Sequence, residues 1–183
     1  MSFPEQEMEP LARLAGEGDR QAFGQLLALA YVPIFRMAYR QVEDRQDAEE
    51  ICQEVCLHLS RAILSFRGES TFATWLYRVV INAVHDFRRK NVRHANHEVA
   101  EEVLAELPSP YGNPEQALIS SWIRRCVAAL PEALRQAVVL VHGEGLLHRQ
   151  VGEILGCKEG TISWRLSEAR KLLARCLDRE KKP

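Results

Sequence analysis

The stretch FRGESTFATWLYRVVINAVHDFRRK at positions 66–90 decides the fold of this chain, because it contains two stripes with helical spacing. The first stripe is apolar, and its steps of three and four residues are typical of a buried helix face. Its members are Phe72, Trp75, Leu76, Val79, Val80 and Ala83. Ser70 and Thr71 precede this stripe and can cap its first turn. The spacing therefore predicts a helix that begins near Thr71 and ends near Lys90.

The second stripe is polar and follows the same helical steps: Arg78, Asn82, His85 and Arg89. Aromatic, amide and basic groups around one helix are typical of proteins that hold a single nucleic-acid strand. The candidate contacts are Phe66, Arg67, Ser70, Arg78, Asn82, Arg88, Arg89 and Lys90. An alternative stays open at this point. Phe72 and Trp75 can be core residues, and the basic end can simply favour a helix C-terminus.

The net charge of −1 conceals a segregated pattern of charge along the chain. Positions 61–94 contain 7 basic and 2 acidic residues, and positions 158–183 contain 8 basic and 4 acidic residues. The segments 1–60 and 95–121 are both acidic. Two basic segments in an otherwise acidic chain indicate a protein that contacts nucleic acid at two separate places.

Several functional classes are disfavoured by the sequence. No apolar run approaches the roughly 20 residues that span a bilayer, and the acidic first ten residues lack the apolar segment of a signal peptide. We therefore expect a cytoplasmic protein without membrane insertion. We find no nucleophile–base pair, no phosphate-binding glycine loop and no convincing set of metal ligands. We accordingly expect no catalytic residue, no metal, no cofactor and no enzymatic activity.

The five cysteines are Cys52, Cys56, Cys126, Cys157 and Cys176. An odd number in a chain that we expect in the cytoplasm disfavours a disulfide scaffold. Cys52 and Cys56 are one helical turn apart and close to His58, so a metal or redox site there is conceivable. Small buried apolar residues are the favoured interpretation. His94 and His97 form a similar pair without an obvious third ligand.

The N-terminal half is predicted to be helical after a loose tail at 1–10. A helical pattern begins at 11–15, and Asp19 can cap a second helix that continues to residue 30. Pro33 stands in the first turn of a third helix that ends near residue 42. A fourth helix is predicted from Asp47 to about Leu64, with an acidic outer side. Its inner face comprises Ala48, Ile51, Cys52, Val55, Leu59 and Ala62.

The segment 91–113 is predicted to be an acidic linker, because LPSPYGNP at 107–114 discourages regular structure. A short helix at 98–107 is possible. Helices are then predicted at 114–130 and from Pro131 to about Gly143. The expected fold is all-α, with small helical domains at 11–90 and 114–177 and a tail at 178–183. No strand pattern and no internal repeat compete with this interpretation.

A helix-turn-helix is predicted at the end of the second domain. Its first helix covers 147–155, Gly156 forms the turn, and Lys158 or Glu159 begins the second helix. The apolar residues that pack the two helices together are Val151, Ile154, Leu155, Ile162, Leu166 and Ala169. The second helix of such a motif lies in the major groove of duplex DNA.

Three motifs in this order resemble extracytoplasmic-function (ECF) sigma factors, the small bacterial transcription initiation subunits. FRGESTFATWLYRVVINAVHDFRRK at 66–90 resembles the promoter-melting helix of the family. DAEEICQEVCLHL at 47–59 is similar to its polymerase-binding segment, and LPEALRQAVVLVHGEGLLHRQVGEILGCKEGTISWRLSEARKLL at 130–173 resembles its helix-turn-helix. The three motifs and the helices between them cover most of positions 10–177.

The resemblance implies a set of partners and contacts. Core RNA polymerase would bind through its β′ coiled-coil and β flap, and the residues that contact the coiled-coil would be Asp47, Glu50, Gln53 and Glu54. The 66–90 stretch would bind the opened minus-ten element, with Phe66, Ser70 and Asn82 near a flipped base. The linker would thread the polymerase toward its active centre. An anti-sigma factor that clamps both domains is also implied.

The minus-thirty-five element would be read as duplex by Lys158, Thr161, Ser163, Trp164, Arg165, Glu168, Arg170 and Lys171. Arg165 can read guanine, and Lys171 is better placed for phosphate. Alternatives stay open, since Trp164 can pack back on the preceding helix and Thr161 can cap. The family usually has a basic residue at 163, serine at 164, often arginine at 168 and commonly a capping serine at 158. These departures alter the DNA sequence that is read.

A different class of protein also fits part of the pattern. A stand-alone helix-turn-helix regulator with an N-terminal sensing or dimerisation domain would bind duplex DNA unaided, usually as a dimer. A sigma factor would instead depend on polymerase for tight and specific binding.

Overall fold

A computed structural model describes residues 3–92 and 122–180, and every regular element in these two ranges is helical. The predicted all-α fold is confirmed. The N-terminal module contains α1 (Glu5–Gly16), α2 (Arg20–Val42), α3 (Arg45–Ala62), a 3₁₀ turn (Ile63–Ser65) and α4 (Phe72–Val92). The C-terminal module contains α5 (residues 122–128), α6 (Glu132–Val138), a π turn (Val139–Gly143), α7 (His148–Leu155) and α8 (Glu159–Glu180). The linker was predicted to begin at residue 91, but α4 continues to Val92. The rest of the predicted linker at 91–113 and the possible helix at 98–107 lie outside the described residues.

The prediction of a loose tail at 1–10 was wrong for the described part of that segment. Met8 is fully buried, and the Phe3 ring packs edge-on against Tyr77 with ring centroids 4.6 Å apart. The Glu9 carboxylate accepts a hydrogen bond from the Phe72 backbone N–H at 2.7 Å. This segment therefore caps and covers α4. Phe3 and Met8 stand among acidic residues, so no apolar pattern in the sequence marked them as core residues.

The predicted break between residues 30 and 33 is also absent, because α2 continues through Pro33. Ala30 and Ile34 on either side of the proline are both fully buried, so the face that packs in the core is uninterrupted. Packing on that face offsets the hydrogen bond that Pro33 cannot make. Asp19 caps α2 as predicted, since its carboxylate accepts from the Gln21 and Ala22 N–H groups.

The uninterrupted α2 is long and apolar enough to cross a bilayer by length and composition alone. It instead packs against α1, α3 and α4, with one face in the core. The core helix of a soluble protein meets the same criterion, so this feature is weak evidence for a membrane span.

The central helix α4 is more deeply enclosed than its first stripe predicted. The predicted residues Phe72, Leu76 and Val80 are fully buried. A second set on another side of the helix is buried as well: Tyr77, Ile81 and Val84. The reason is that α1, α2 and α7 cover the side of α4 that α3 leaves open. Thr71 caps the helix as predicted, because its hydroxyl accepts from the Thr74 N–H at 3.3 Å.

The start of α3 differs from the prediction by two residues. The cap is Asp44, whose carboxylate accepts from the Asp47 N–H at 2.8 Å. The α-helix ends at Ala62, and the 3₁₀ turn carries the chain to Ser65. The predicted inner face is confirmed at Ile51 and Val55, which are buried against α2 and α4.

The C-terminal module contains a change of helical register. The sequence predicted Val141 on the inner face, but Val141 is half-buried while Val139 and Leu140 are buried. The π turn has a wider repeat than an α-helix, so it rotates the following residues around the axis. The predicted helix at 114–130 is confirmed only where described, at 122–128.

The helix-turn-helix has the predicted boundaries. Gly156 ends α7 with a positive φ of 64°. A β-carbon at Gly152 would lie 2.7 Å from the carbonyl oxygen of Cys157, so a glycine is needed where the chain crosses α7. The predicted apolar residues Val151, Ile154, Ile162 and Leu166 belong to one buried cluster that joins α7 to α8. Ala169 was predicted in the same set, but it packs with Leu130 and Leu134 instead.

The two modules share one continuous hydrophobic core in this structure. Leu140 and Val151 of the C-terminal module belong to the same buried cluster as Tyr77 and Val80 of α4. The sequence had predicted two small helical domains joined by a linker. In the described residues they are in direct contact, and this arrangement determines which candidate residues are accessible.

Candidate nucleic-acid interface

A groove of about 390 Å³ between α3 and α4 contains part of the predicted minus-ten site. Asn82, Arg89 and Lys90 of the predicted set line it and are exposed. Glu50 and Glu54, predicted to bind polymerase, line the opposite wall. The predicted polymerase surface therefore adjoins the predicted DNA surface, and the two acidic side chains would repel phosphate along that wall.

The aromatic residues at the start of α4 form a separate cluster. The ring centroid of Phe66 lies 5.5 Å from that of Phe72 and 5.6 Å from that of Trp75. Phe72 is fully buried, while Phe66 and Trp75 are half-buried. Asn82 lies about 15 Å farther along the helix axis than Phe72. The structure thus does not bring Phe66, Ser70 and Asn82 into one pocket, although one extended strand could pass both places.

Two of the predicted minus-ten arginines contact other parts of the protein. The Arg78 guanidinium donates to the backbone carbonyl of Glu153 on α7 at 2.9 Å. Arg88 donates to the backbone carbonyl of Gln41 and lies 3.5 Å from the Glu132 carboxylate of α6. Burial lowers the pKa of Arg88, and Glu132 opposes that shift. Both side chains are therefore engaged when the modules are in contact.

The remaining basic residues of this region are more accessible. Arg67, Arg89 and Lys90 are exposed. Arg89 forms an ion pair with Asp86 at 2.9 Å, one helical turn earlier. Exposed pairs of this kind contribute little to stability, so Arg89 can exchange its partner for a phosphate at small cost.

A buried carboxylate joins the two modules. Glu144, which follows the π turn, has a side chain that is 4% exposed and forms an ion pair with Arg40 of α2. Arg40 also donates to the Gly143 carbonyl at 2.9 Å, and the Tyr77 hydroxyl donates to Glu144 at 3.3 Å. Burial and the neighbouring Glu144 raise the pKa of Tyr77. Sequence patterns gave no signal for this network, because its members are far apart along the chain.

A second polar contact between the modules lies near the end of α4. His85 is 3.3 Å from the Glu132 carboxylate and 2.8 Å from the Gln136 amide nitrogen. Glu132 also faces Arg88, so one carboxylate of α6 meets His85 of the polar stripe and the neighbouring Arg88. The stripe was predicted to face nucleic acid, and in this structure half of it faces α6 and α7.

The recognition helix α8 presents most of its predicted residues to solvent. The exposed members are Lys158, Ser163, Trp164, Arg170 and Lys171, and the half-buried members are Thr161, Arg165 and Glu168. Trp164 is 59% exposed, so it does not pack back on α7. Ser163 lies 3.0 Å from His148, and Lys171 forms an ion pair with Glu168 at 2.6 Å.

The predicted polymerase-binding residues lie on the outer side of α3, as the spacing required. Glu50, Gln53 and Glu54 are exposed, and Asp47 is half-buried in the first turn. Burial raises the pKa of Asp47, and the nearby carboxylates of Asp44 and Glu50 act in the same direction. An accessible acidic surface of this kind can complement a basic partner.

The prediction of unpaired cysteines was wrong for two of the five. Cys126 of α5 and Cys176 of α8 form a disulfide, and their separation of 50 residues left no pattern in the sequence. Cys52, Cys56 and Cys157 are free. Within the two described ranges, no group of three or more His, Cys, Asp or Glu side chains is placed to hold a metal. The predicted pair His94 and His97 lies outside those ranges.

Comparison with known proteins agrees with this geometry. Residues 29–94 match the family Sigma-70 region 2, and residues 120–173 match the family Sigma-70, region 4. The ECF RNA polymerase sigma-E factor of Haemophilus influenzae is 32% identical over 178 residues, covering 90% of this chain and 92% of the relative. The RNA polymerase sigma-H factor of Pseudomonas aeruginosa is 31% identical, covering 97% and 96%.

Solved structures show the same fold. CnrH in complex with the cytosolic domain of CnrY has a TM-score of 0.71 at 21% identity, covering 96% of this chain and 99% of that chain. The sigma factor RpoE in complex with the anti-sigma factor NepR from Bartonella quintana has a TM-score of 0.70 at 25% identity, covering 85% and 96%.

Two sigma-70 regions in this order, on an all-helical chain with a helix-turn-helix, define a sigma factor. The chain belongs to the ECF family of RNA polymerase sigma factors, which direct core polymerase to particular promoters and assist their melting. A stand-alone helix-turn-helix regulator is not favoured, because the region 2 match covers the N-terminal module as well.

Proposed function

We propose that this sigma factor reads a duplex minus-thirty-five element with α8 and captures an opened minus-ten strand along α4. The observation that carries the proposal is the placement of Asn82, Arg89 and Lys90 on one open groove and of Trp164 and its neighbours on an exposed recognition helix. Phe66, Arg67 and Ser70 would contact the strand where it passes the start of α4. No step in this function requires a catalytic residue.

Promoter opening needs more free energy than this protein can supply without polymerase. Opening duplex DNA costs roughly 1.4 kcal/mol per base-pair step. Capture of an unstacked base on an aromatic side chain returns about 1–3 kcal/mol. One or two captured bases therefore cannot open a bubble of about ten pairs. The isolated protein should bind promoter DNA weakly, and core polymerase should create specific melting.

The contact between the modules adds a second requirement. Arg78 and Arg88 cannot reach phosphate while they are held by Glu153, Gln41 and Glu132. We infer that core polymerase separates the modules when it binds, with the β′ coiled-coil on Asp47, Glu50, Gln53 and Glu54 and the β flap on the C-terminal module. Separation would release Arg78 from Glu153 and Arg88 from Glu132, and Arg88 would keep only its hydrogen bond to Gln41 of its own module.

Regulation by an anti-sigma factor is part of the proposal. RpoE of Bartonella quintana is in complex with the anti-sigma factor NepR, and its fold matches that of this chain. A partner that holds the two modules together would keep the arginines of α4 engaged. The setting is the cytoplasm, where promoter DNA and polymerase meet.

Substitution of Asn82 tests the site directly. Asn82→Ala should impair promoter melting and leave polymerase binding intact, because the side chain faces the groove and lies on no packed surface. Melting is measured with a fluorescent base in the minus-ten strand, and polymerase binding with labelled protein. Gln25→Ala, an exposed amide on α2, is the matched control. Equal loss of both activities in Asn82→Ala would contradict the assignment.

A further inference from the structure

The disulfide lies in the C-terminal module and joins its first described helix to its last. Cys126 on α5 is 1% exposed, whereas Cys176 near the end of α8 is half-buried. Their Cα atoms are 5.8 Å apart. The bond is far along α8 from the base-reading residues at its start, so it does not occupy the DNA surface.

The covalent loop that this bond closes encloses α6, the π turn, α7 and most of α8. A separate apolar cluster of this module has few fully packed members: Leu130 after α5, Leu134 of α6 and Ala169 of α8. A module of this size buries little apolar surface on its own. Closing a loop of 50 residues restricts the unfolded chain strongly, so the bond has a large effect on whether the module is folded.

The region 4 match ends at residue 173, so Cys176 lies beyond it while Cys126 lies within it. Thiols in the cytoplasm are normally reduced, and cytoplasmic disulfides are usually transient or redox-sensing. In thiol–disulfide exchange, an accessible thiol attacks an external disulfide and a second thiol resolves the mixed disulfide. The half-buried Cys176 suits the first role, and the buried Cys126 suits the second.

We propose that Cys126 and Cys176 form a reversible thiol–disulfide switch that locks the C-terminal module in its folded state under oxidising conditions. The reactant is a low-molecular-weight disulfide such as oxidised glutathione. The switch concerns the folding of the module and does not depend on which bases α8 reads.

The exchange proceeds in two balanced steps. The Cys176 thiolate attacks one sulfur of the small disulfide, forms a mixed disulfide and releases one thiolate. The Cys126 thiolate then attacks the Cys176 sulfur and releases the second thiolate. Two protein thiols lose two protons and two electrons, and one small disulfide becomes two thiols. The reverse exchange with excess thiol reopens the loop.

The test uses the full chain in glutathione buffers of defined ratio. Alkylation followed by mass spectrometry counts the thiols, and peptide mapping without reduction identifies the bonded pair. Hydrogen exchange then reports the protection of amides in α6, α7 and α8. Cys176→Ser removes the half-buried partner and spares the buried one, and Cys157→Ser is the matched control, because Cys157 is a free cysteine of the same module.

Oxidised wild-type protein and Cys157→Ser should each lose two alkylatable thiols and contain the Cys126–Cys176 peptide. Their C-terminal amides should exchange at least about tenfold more slowly than in the reduced protein, and the unfolding midpoint of the module should rise by about 10 °C or more. Cys176→Ser should exchange at the reduced rate in every buffer. Full alkylation of all five cysteines in oxidising buffer, a bond between other cysteines, or a bond without slower exchange would overturn the proposal.

Discussion

The two helices that we propose to bind DNA differ in what holds their basic residues. On α4, Arg78 and Arg88 contact Glu153, Gln41 and Glu132, so the other module or the preceding helices occupy them. On α8, the basic residues face solvent or a neighbour on the same helix. Contact between the modules therefore occupies two arginines of the predicted minus-ten surface, Arg78 and Arg88, and leaves the predicted minus-thirty-five surface accessible.

The largest effect is expected from breaking the buried ion pair between the modules. Arg40→Ala leaves the Glu144 carboxylate buried without its cation. The free energy that favours contact between the modules should fall by about 3 kcal/mol, which lowers the ratio of closed to open protein roughly 150-fold. This value is at the low end for buried ion pairs because Arg40 is partly exposed. Small-angle X-ray scattering should show a larger radius of gyration.

Arg45→Ala is the control for this change, since Arg45 pairs with Glu49 on the exposed side of α3. That pair is screened by solvent and contributes little, so scattering should be unchanged. An unaltered radius of gyration in Arg40→Ala would show that Glu144 does not hold the modules together.

A smaller effect is expected from a substitution on the recognition helix, and it should leave the contact between the modules unchanged. Arg165→Ala should cost about 2 kcal/mol of discrimination at one base pair of the minus-thirty-five element. Holoenzyme binding to promoters with single base changes measures that loss. Scattering of the free protein should not change, because Arg165 takes part in none of the polar contacts between the modules described above. Uniform weakening on every promoter would assign Arg165 to phosphate instead.

Arg170→Ala should weaken DNA binding by a similar factor on every promoter sequence. The sequence predicted Arg170 among the groove-facing residues. It is exposed on α8 and lies beyond the N-terminal residues of a recognition helix that meet base edges, so we now expect it to contact phosphate. Its loss should reduce the slope of log affinity against log salt by about one and weaken all promoters alike. Binding of holoenzyme across a series of salt concentrations checks this. A change of base preference would move Arg170 into the sequence-reading set.

The smallest effect concerns pH and the contact between the modules. Burial raises the pKa of Glu43 beside Arg124 and Arg135, which oppose the shift. A carboxyl with a raised pKa in the closed state favours closure below its ordinary pKa, and this contribution is lost as pH rises through the raised value. Glu43→Gln should therefore reduce the difference in scattering between pH 5 and pH 7. An identical difference in both proteins would exclude Glu43 from the equilibrium.

The sequence predicted the parts of this molecule that depend on local spacing. The helix-turn-helix, the Asp19 and Thr71 caps and the buried stripe of α4 all follow from residues a few positions apart. The comparisons confirmed the family that three local motifs had indicated. The roles assigned to individual DNA and polymerase contacts stay predictions.

The features that the sequence did not predict depend on distant pairs. Arg40 and Glu144 are 104 residues apart, and nothing near either one marks the other. The disulfide joins residues 50 apart for the same reason. The burial of Met8 was not predicted because its sequence neighbours are acidic. The π turn was not predicted because simple periodicity assumes a constant helical repeat.

The central claim is that core polymerase makes this protein competent to bind and open a promoter. The most direct measurement titrates a promoter labelled in the minus-ten strand with the protein alone, with core polymerase alone and with both. The account predicts weak binding without melting for the protein alone, and specific melting only when both are present. Tight, sequence-specific binding by the protein alone, equal to that of the holoenzyme, would contradict it.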